Sequence, residues 1–552
     1  MTKEIHVIRK AHTLVAFDRK LNGHVYLNDA DVAYDEKGFV HVGGHYDGPF
    51  VSESSGRDRM ILPGFVNVHC HSGEEPISKG IFEDMGTAAL WGNALYEYSN
   101  LLEIDDDAIE ASLTVMVGDL MRSGVTTLLD IAGPHASWLP TLAKSGARTF
   151  VAPGFREAQW HVEDSHRLDF RWDRARGRDA FARALEVVDT ANAHPSGRLG
   201  GVVAPSQIET CSPELLQDAV AAARQRGMPI TIHAAQTMTE HEELLRRHGL
   251  TAVQYLEKLG LLGKDLILGH CIFVDSHSWT RQRTEIDLRL LAERQTTVAH
   301  CPVTFSRSGM ALESVGRYRR AGVNVALGTD SYPFNMLEEM RQAMICARLS
   351  GKSVFDVSTG DIFEAATTAG ARALGRDDIG RIAVGSKADF LVVDLRHHAM
   401  QPVYDPLRNL LHCAAERAIE RVHVDGTCVV SDGRPTLIDY DGALAKLQEA
   451  QATLAARRLR TTRRVAQWGR LRRSHCRAGN SGRGPSGQKA VCGEEADQDC
   501  RRRARQRAKT PFEEIPDLFA ETAQQPGEQE ESRAAGNDRR DDEQAEIDVG
   551  GA

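Results

Sequence analysis

Short runs of apolar and β-branched residues alternate with amphipathic segments along most of the chain. Eight such runs are predicted to be strands: 61–71, 124–132, 147–154, 199–206, 229–236, 266–271, 296–302 and 324–331. In the intervening segment 336–349, apolar residues recur at the spacing of one helical face. Several of the strands are apolar throughout, as expected for strands buried on both faces. Eight β-α units predict an α/β fold with a parallel (β/α)8 TIM-like barrel, and an open doubly wound sheet is the alternative.

The two flanks of this region show a different pattern. Residues 3–60 and 388–435 alternate apolar and polar positions over short runs, with Gly and Asp at the predicted turns. That pattern is typical of short antiparallel strands. We therefore predict that residues 1–60 and 385–440 form one composite β-sandwich, and that residues 61–384 form the barrel.

The composition changes once, after residue 456. Aliphatic residues nearly vanish there, two basic runs follow, and the C-terminal end is acidic and rich in Gln. Such a segment cannot bury enough apolar surface to offset the entropy cost of ordering it. We predict that residues 441–552 comprise a helical linker and a disordered tail, which is either a solvated appendage or the product of a frameshift. A nucleic-acid-binding arm is the functional alternative.

Charge and cysteine content restrict the remaining possibilities. The 552 residues include 67 Lys and Arg against 77 Asp and Glu, for a net charge of −10. This balance gives no electrostatic reason to bind nucleic acid or an anionic membrane. No apolar run approaches the ~18–20 residues of a membrane span, the first residues lack the apolar core of a signal peptide, and the ten cysteines do not resemble a disulfide framework. We predict a cytoplasmic protein with neither a membrane nor a nucleic-acid partner.

Potential metal ligands lie at the ends of four predicted strands. His69 and His71 are two positions apart, so both extend from the same face of the first strand. His233, His270 and Asp330 lie near the ends of the fifth, sixth and eighth strands. Because the active sites of such barrels form at the C-terminal strand ends, these side chains are expected to meet. Histidines together with a carboxylate suit zinc or ferrous iron.

Five segments around these residues resemble motifs of one protein family. They are LPGFVNVHCHS, LGHCIFVD, VAHCPVTFSRSG, LGTDSYPFNMLEEMR and ATTAGARALGRDDIGRIAVGSKADFLVVD. Together they resemble the amidohydrolase superfamily, in the branch of cytosine and guanine deaminases and triazine chlorohydrolases, over residues 3–440. The resemblance implies hydrolysis of a C–N bond, or of an activated C–Cl bond, in a small N-heterocyclic substrate. It also implies a homodimer.

The same resemblance implies roles for individual residues. His69, His71, His233 and Asp330 would bind one divalent metal ion, zinc or alternatively iron. His270 would lie beside the reacting water and the substrate. Binuclear relatives use a lysine on the fourth strand, and the segment LGGVVAPS has none, so a single metal ion is favoured. Asp330 would accept a proton from the activated water and pass it to the leaving group.

Gln236 departs from the pattern of this branch. The branch usually has Glu three residues after the histidine of strand five, where it protonates a ring nitrogen, and here the segment is HAAQTMTE. An amide can donate a hydrogen bond but cannot transfer a proton, so we predict that Gln236 binds the substrate. Glu240, seven residues after His233, is the alternative acid. The substitution keeps two other functions open, namely cyclic-amide ring opening resembling that of imidazolonepropionase, and an impaired enzyme retained for binding.

Further substrate contacts are expected from the same rim of the barrel. His300 ends the seventh strand, and Arg156, after the third strand, could meet a substrate carboxylate. Trp91, with Tyr96 and Tyr98, could stack on a flat ring. For each of these residues, a structural role in the core or on the surface is the alternative.

Overall fold

Most strands belong to a parallel barrel or to an outer sheet, and two strands after the third barrel strand form a separate pair. The computed structural model describes residues 4–82, 86–92, 94–98, 104–162 and 167–461, and the structural statements below refer to these residues. The strands are β1 His6–Asp18, β2 Gly23–Asp35, β3 Gly38–Gly43, β4 Ser52–Ser55, β5 Arg59–Pro63, β6 Phe65–Cys70, β7 Val125–Ala132, β8 Arg148–Phe155, β9 Ala158–Val162, β10 Leu168–Trp172, β11 Leu199–Gly201, β12 Ala204–Pro205, β13 Ile230–Ala234, β14 Leu266–His270, β15 Thr297–His300, β16 Asn324–Leu327, β17 Phe390–Asp394, β18 Ile419–Val424, β19 Thr427–Ser431 and β20 Arg434–Pro435.

Helices connect most of the barrel strands. They are α1 Leu95–Tyr98, α2 Asp106–Arg122, α3 Trp138–Ser145, α4 Arg174–Asn192, α5 Pro213–Arg226, α6 Met238–His248, α7 Ala252–Lys258, α8 Ile286–Glu293, α9 Pro302–Ser306, α10 Val315–Arg320, α11 Met336–Gly351, α12 Thr359–Ala365, α13 Thr368–Ala373, α14 Pro406–Asn409 and α15 Tyr440–Thr461. Shorter helical turns span Pro76–Ser78, Ala88–Leu90, Ile208–Thr210, His398–Met400, Leu410–Ala414 and Ala415–Ala418.

Two parallel sheets close the barrel. One has the order β11–β8–β7–β6, with β12 also paired to β8, and the other has the order β13–β14–β15–β16. Bridges between Val203 and Ile230 and between Cys70 and Asp330 join the sheets at the two seams. The predicted (β/α)8 barrel is therefore confirmed, with its fourth strand position shared by β11 and β12.

The chain passes from the outer sheet into the barrel at Gly64. The predicted first strand, 61–71, is wrong in detail, because β5 pairs with β1 and β17 in the outer sheet whereas β6 pairs with β7 in the barrel. A Cβ atom at Gly64 would lie 2.1 Å from Oγ1 of Thr126, so this crossing requires a residue without a side chain. A continuous apolar run does not reveal where the chain changes sheets.

The outer sheet unites the two flanks of the sequence. Its nine strands run in the order β20–β19–β18–β17–β5–β1–β2–β3, with β4 also paired to β1. The antiparallel pair β5–β17 joins the N-terminal flank to the C-terminal flank. Leu14, Val32, Phe39 and Phe390 belong to an apolar cluster of this sheet, separate from the clusters of the barrel.

A buried ion-pair network ties the barrel to this sheet. Arg148, at the start of β8, donates to the carboxylate of Asp389 from Nε at 3.0 Å and from Nη2 at 3.2 Å. The same Nη2 donates to Oδ1 of Asp425 at 2.6 Å. Arg148 and Asp389 are both buried, and the two aspartates adjoin β17 and β18. The network therefore fixes β8, which leads into the candidate site, against the outer sheet.

The C-terminal helix α15 packs against α2 through a small apolar cluster that includes Ala111, Val115 and Leu447.

None of the described helices is both long and apolar enough to cross a membrane. Residues 462–552, which contain most of the predicted tail, lie outside the described residues, so the disorder of that tail stays a prediction.

Candidate metal centre

Three histidines and one aspartate converge at the C-terminal end of the barrel. The ligand atoms of His69, His71, His233 and Asp330 all lie within 4.8 Å of one another. Oδ1 of Asp330 is 3.4 Å from Nε2 of His69 and 3.2 Å from Nε2 of His71. Nε2 of His233 is 3.3 Å from Nε2 of His71. Among the described residues, this set is the one group of three or more such side chains close enough to share a metal ion.

An irregularity in β6 turns the two histidines of that strand inward. Val66 and Val68 belong to the apolar cluster inside the barrel, whereas Cys70 belongs to the cluster outside it. The pairing of β6 with β7 shifts register between Asn67 and Cys70, as in a β-bulge. Because side chains alternate along a strand, this shift lets His69 and His71 face the interior together.

The other ligands are positioned by strand alternation and by close backbone approach. Ile232 and Ala234 pack on the outside of β13, so His233 between them faces inward. The backbone N–H of Asp330 donates to the carbonyl of His69 at 2.8 Å, which ties the end of β16 to β6. A Cβ atom at Gly269 would lie 2.5 Å from Cε1 of His69, so this glycine leaves the space that the imidazole occupies.

Backbone carbonyls orient two of the imidazoles. Nδ1 of His71 lies 2.9 Å from the carbonyl oxygen of Ile131, and Nδ1 of His233 lies 2.6 Å from that of Ser206. A carbonyl oxygen can only accept, so each Nδ1 carries a hydrogen and donates it. Each Nε2 is thus directed to the centre as the nitrogen left to bind a metal ion, an arrangement that metal-binding histidines commonly show.

The donor set fits a divalent cation. Both ring nitrogens of His69 are buried without a hydrogen-bond partner among the described residues, which is costly unless a ligand satisfies them. Burial lowers the pKa of His233 well below its ordinary value, so its imidazole is neutral. Burial would raise the pKa of Asp330, but His270, His69 and His71 outweigh it and lower that pKa well below the ordinary value. Neutral imidazoles with an ionised carboxylate are the ligands that zinc and ferrous iron prefer.

His270 lies beside this centre without belonging to the compact set. Its ring centroid is 4.5 Å from that of His69, and its Nε2 is 3.9 Å from Oδ1 of Asp330. Phe305 packs against the same ring at 4.5 Å. Both nitrogens of His270 are buried and lack a partner among the described residues, so the ring is able to bind a group at the centre.

A cavity of about 540 Å³ opens from the metal centre, and its described lining includes His71, His233, Glu74, Gln207 and Arg156. The Arg156 guanidinium lies 5.6 Å from the ring centroid of Trp160. No carboxylate among the described residues forms an ion pair with this guanidinium, and Arg156 is part of the cavity wall.

Gln236 lies in the turn after β13, and Glu240 lies in the helix α6 that follows. Glu240 is fully buried, and its two carboxylate oxygens accept the backbone N–H groups of Ala235 at 2.6 Å and Gln236 at 2.8 Å. Ala235 adopts a left-handed conformation with φ of 52°, and the carboxylate supports this turn. The structure thus corrects the expectation that Glu240 contacts substrate, because its oxygens are used by the backbone that carries Gln236.

Two other predicted contacts are placed away from the cavity. Val298 packs outside the barrel and Ala299 inside it, so alternation puts His300 on the outer side of β15. Burial alone lowers the pKa of His300 to about 3. Trp91 is 39% exposed and stacks on Trp279, with ring centroids 5.9 Å apart. Neither His300 nor Trp91 is among the described residues that line the cavity, and a contact of either side chain with substrate stays a prediction.

Tyr96 and Tyr98 were predicted, with Trp91, to stack on a flat ring, and the structure describes the side chain of Tyr96 alone of these two tyrosines. The hydroxyl of Tyr96 is 2.6 Å from Oγ1 of Thr237, and its ring packs edge-on against Trp160. This buried residue is part of the core, and the side chain of Tyr98 lies outside the described residues.

Sequence reasoning gave no role to Glu75, four residues after His71. Burial, together with the charge of Asp330, raises the pKa of Glu75 to about 7. Its position in the loop after the first strand was visible, but no spacing rule connects that loop to Asp330.

The comparison with protein families agrees with this geometry. The model described as "Amidohydrolase family" matches residues 60–429.

The chain belongs to the amidohydrolase family. Together with the metal-binding set, this membership makes the protein a metal-dependent hydrolase of carbon–nitrogen bonds other than peptide bonds, as predicted.

The chain is also similar to individual deaminases and to a chlorohydrolase. A 5-methylthioadenosine/S-adenosylhomocysteine deaminase of Halobacterium salinarum is 28% identical over 439 residues, which cover 78% of this chain and 95% of that protein. The structure of an adenosine deaminase from Xanthomonas campestris with bound zinc has a TM-score of 0.71 at 24% identity, covering 82% of this chain and 98% of that one. Atrazine chlorohydrolase from Arthrobacter aurescens TC1, complexed with zinc, has a TM-score of 0.69 at 20% identity, covering 81% and 100%. These two structures support the fold.

Proposed function

We propose that this amidohydrolase is a zinc-dependent deaminase that removes an exocyclic amino group from a small N-heterocycle bearing an acidic substituent. The observation that carries the proposal is the centre of three histidines and Asp330 opening into a cavity whose wall contains Arg156. The relatives named as deaminases of adenosine derivatives support an aminated purine-like ring. The Arg156 guanidinium, which forms no ion pair with any carboxylate that the structure describes, supports the acidic substituent.

The residues around the centre divide the work of such a reaction. His69, His71, His233 and Asp330 would hold a divalent cation, which would supply a water of lowered pKa at neutral pH. The Asp330 carboxylate accepts the proton of the attacking water and then donates it to the departing amine, so that water is added and ammonia leaves. His270, neutral because burial lowers its pKa well below the ordinary value, orients the carbon under attack. The Gln236 amide donates a hydrogen bond to the ring.

Removing the Arg156 charge tests the acidic substituent. In an Arg156→Met variant, we expect KM for an acidic substrate to rise by roughly 10- to 100-fold, because a charge-assisted hydrogen bond contributes about 1.5–3 kcal/mol. KM for an uncharged analogue of the same ring should change less than about threefold. Arg178→Met is the matched control, since Arg178 pairs with Asp218 on the surface. Equal effects of Arg156→Met on both substrates would contradict the assignment.

Cyclic-amide ring opening is a second candidate, and Gln236 favours it. Ring opening needs hydrogen bonding at that position rather than an acid, because Asp330 can protonate the leaving nitrogen. This reaction would consume the ring absorbance without releasing ammonia.

An activity screen of the zinc-loaded protein separates these reactions. It should cover aminated, chlorinated and cyclic-amide heterocycles and should measure ammonia, chloride and ring absorbance in parallel. Ammonia release from an aminated ring is the expected result. Chloride release, or ring opening without ammonia, would replace the deaminase proposal. Metal bound tightly without turnover of any compound would favour a protein retained for binding.

The identity of the metal and the setting of the enzyme are part of this proposal. Zinc is favoured over iron because nitrogen-rich sites with one carboxylate suit it and because the similar adenosine deaminase contains zinc. We further propose a cytoplasmic homodimer without a nucleic-acid partner, in keeping with the net charge of −10.

A further inference from the structure

The C-terminal helix reaches the loop that follows the metal ligand His71. This loop, residues 72–82, is called the β6 loop here. Its turn Pro76–Ser78 contacts both α2 and α15. Ile77 is fully buried in one apolar cluster with Val115 of α2 and with Leu447 and Leu454 of α15. The β6 loop is therefore packed against a helix that lies far from it in sequence.

One polar side chain of α15 binds the backbone of this loop. Nε2 of Gln451 donates to the carbonyl oxygen of Ile77 at 2.7 Å and to that of Lys79 at 2.9 Å. A terminal amide has two N–H donors, so one side chain satisfies both carbonyls. Gln451 is half-buried and lies on the same helical stripe as Leu447 and Leu454, four residues after one and three before the other.

The β6 loop also touches the catalytic end of the barrel. Glu74, three residues after His71, lines the cavity. The Tyr332 hydroxyl, two residues after Asp330, donates to the carbonyl of Ser78 at 3.4 Å. Lys79 forms an ion pair with Asp119 of α2 at 3.0 Å. The loop thus links α15 with the cavity wall and with the segment that carries Asp330.

We propose that Gln451 is a positioning residue of the active site, which from α15 holds the β6 loop in the conformation that forms the cavity wall. The family match ends at residue 429, so this support comes from a helix outside the matched region. Gln451 touches no reacting atom and acts through the loop. The effect of Gln451 on catalysis rests on the proposed function, whereas its hydrogen bonding to the β6 loop does not.

Matched glutamate substitutions on α15 test this role. Gln451→Glu keeps the length of the side chain but places an acceptor against two carbonyl oxygens. Gln448→Glu introduces the same charge at an exposed position three residues earlier on the helix. Gln451→Lys restores a donor and serves as the rescue variant. Amide hydrogen exchange of residues 72–82 and steady-state kinetics are measured on the full-length, zinc-loaded protein, together with the unfolding temperature.

The expected result is selective. Gln451→Glu should accelerate exchange in residues 72–82 by on the order of tenfold, since two hydrogen bonds are lost. It should raise KM on the best substrate of the screen more than it lowers kcat. Gln448→Glu should change neither quantity, and Gln451→Lys should restore part of both.

Two results would overturn the proposal. Unchanged exchange in residues 72–82 would show that Gln451 does not hold the loop. Faster exchange with unaltered KM and kcat would show that the hold has no catalytic role. If the unaltered protein turns over no compound, the proposed function fails, and exchange alone then decides whether Gln451 holds the loop.

Discussion

Gln236 is the residue at which the site departs from the pattern expected from the family resemblance. It follows the metal ligand His233 by three positions, and its backbone N–H is fixed by the buried carboxylate of Glu240. The turn that holds it is therefore well defined, although its side chain cannot transfer a proton. We therefore interpret Gln236 as a residue that binds the ring of the substrate.

A glutamate at this position tests that interpretation. We expect Gln236→Glu to change kcat by less than about tenfold in either direction, because Asp330 moves the proton in the proposed mechanism. Kinetic assays on the best substrate, with Gln207→Glu as a second added charge in the cavity, measure the effect. A gain of several orders of magnitude would show that the reaction lacks an acid at position 236.

Glu209 is a buried carboxylate that the mechanism does not use. It accepts a hydrogen bond from Nε1 of Trp160 at 3.1 Å, and burial raises its pKa from 4.5 to about 7. Between these two values, the folded state binds a proton that the unfolded state has lost. The free energy of unfolding therefore falls as pH rises from about 4.5 to about 7.

The amide variant should remove this pH dependence. We expect Glu209→Gln to raise the free energy of unfolding at pH 8 by roughly 1–3 kcal/mol, with little change below pH 4.5, because it keeps an acceptor for Trp160 without the buried charge. Denaturant unfolding at several pH values measures this difference. Glu242→Gln, at an exposed position on α6, is the control. An equal effect at low and high pH would contradict the explanation.

At the scale of elements, the barrel and the outer sheet depend on the network centred on Arg148. Its guanidinium binds Asp389 twice and Asp425 once, and both Arg148 and Asp389 are 1% exposed. A buried ion pair is not a strong source of stability in itself. Removing one partner is costly, however, because the other charge stays buried.

Deleting the cation should consequently destabilise the joint between β8 and the outer sheet. We expect Arg148→Met to lower the free energy of unfolding by about 3–5 kcal/mol. Arg178→Met, which breaks an exposed pair with Asp218, should cost less than about 1 kcal/mol. Adding Asp389→Leu to Arg148→Met should recover part of the loss. Chemical denaturation checks all three, and equal costs for the two single variants would refute the assignment.

At the scale of the whole molecule, the metal ion should couple folding to activity. The four candidate ligands come from β6 and the residue directly after it, from β13 and from the residue three positions beyond β16, so the site exists only when the barrel is closed. A ligand that binds only the folded state stabilises it in proportion to the logarithm of its concentration over Kd.

Metal removal tests this coupling. Chelation should abolish activity and lower the unfolding temperature, and one equivalent of zinc per chain should restore both. A free zinc concentration 1,000 times Kd corresponds to about 4 kcal/mol of stabilisation. The His71→Ala variant is the control, because it lacks one of the four ligands and its unfolding temperature should therefore respond little to chelator or zinc. Full activity of the stripped protein would rule out a metal-dependent reaction.

The sequence by itself determined the features that depend on neighbouring positions. Apolar runs and helical stripes extend over a few residues, so the eight barrel strands were predictable, although one run concealed the crossing at Gly64. The spacing of His69 and His71 and the positions of His233, His270 and Asp330 near strand ends likewise predicted that these side chains meet.

Only the tertiary structure decided which other side chains reach the cavity. His300 lies on the outer side of its strand, Glu240 binds a backbone turn, and Arg156 lines the cavity without an ion-pair partner among the described residues. Gln451 meets Ile77 although more than 370 residues separate them. Such contacts depend on how distant elements pack and on which polar groups burial leaves to be satisfied, and no local pattern in the chain records either.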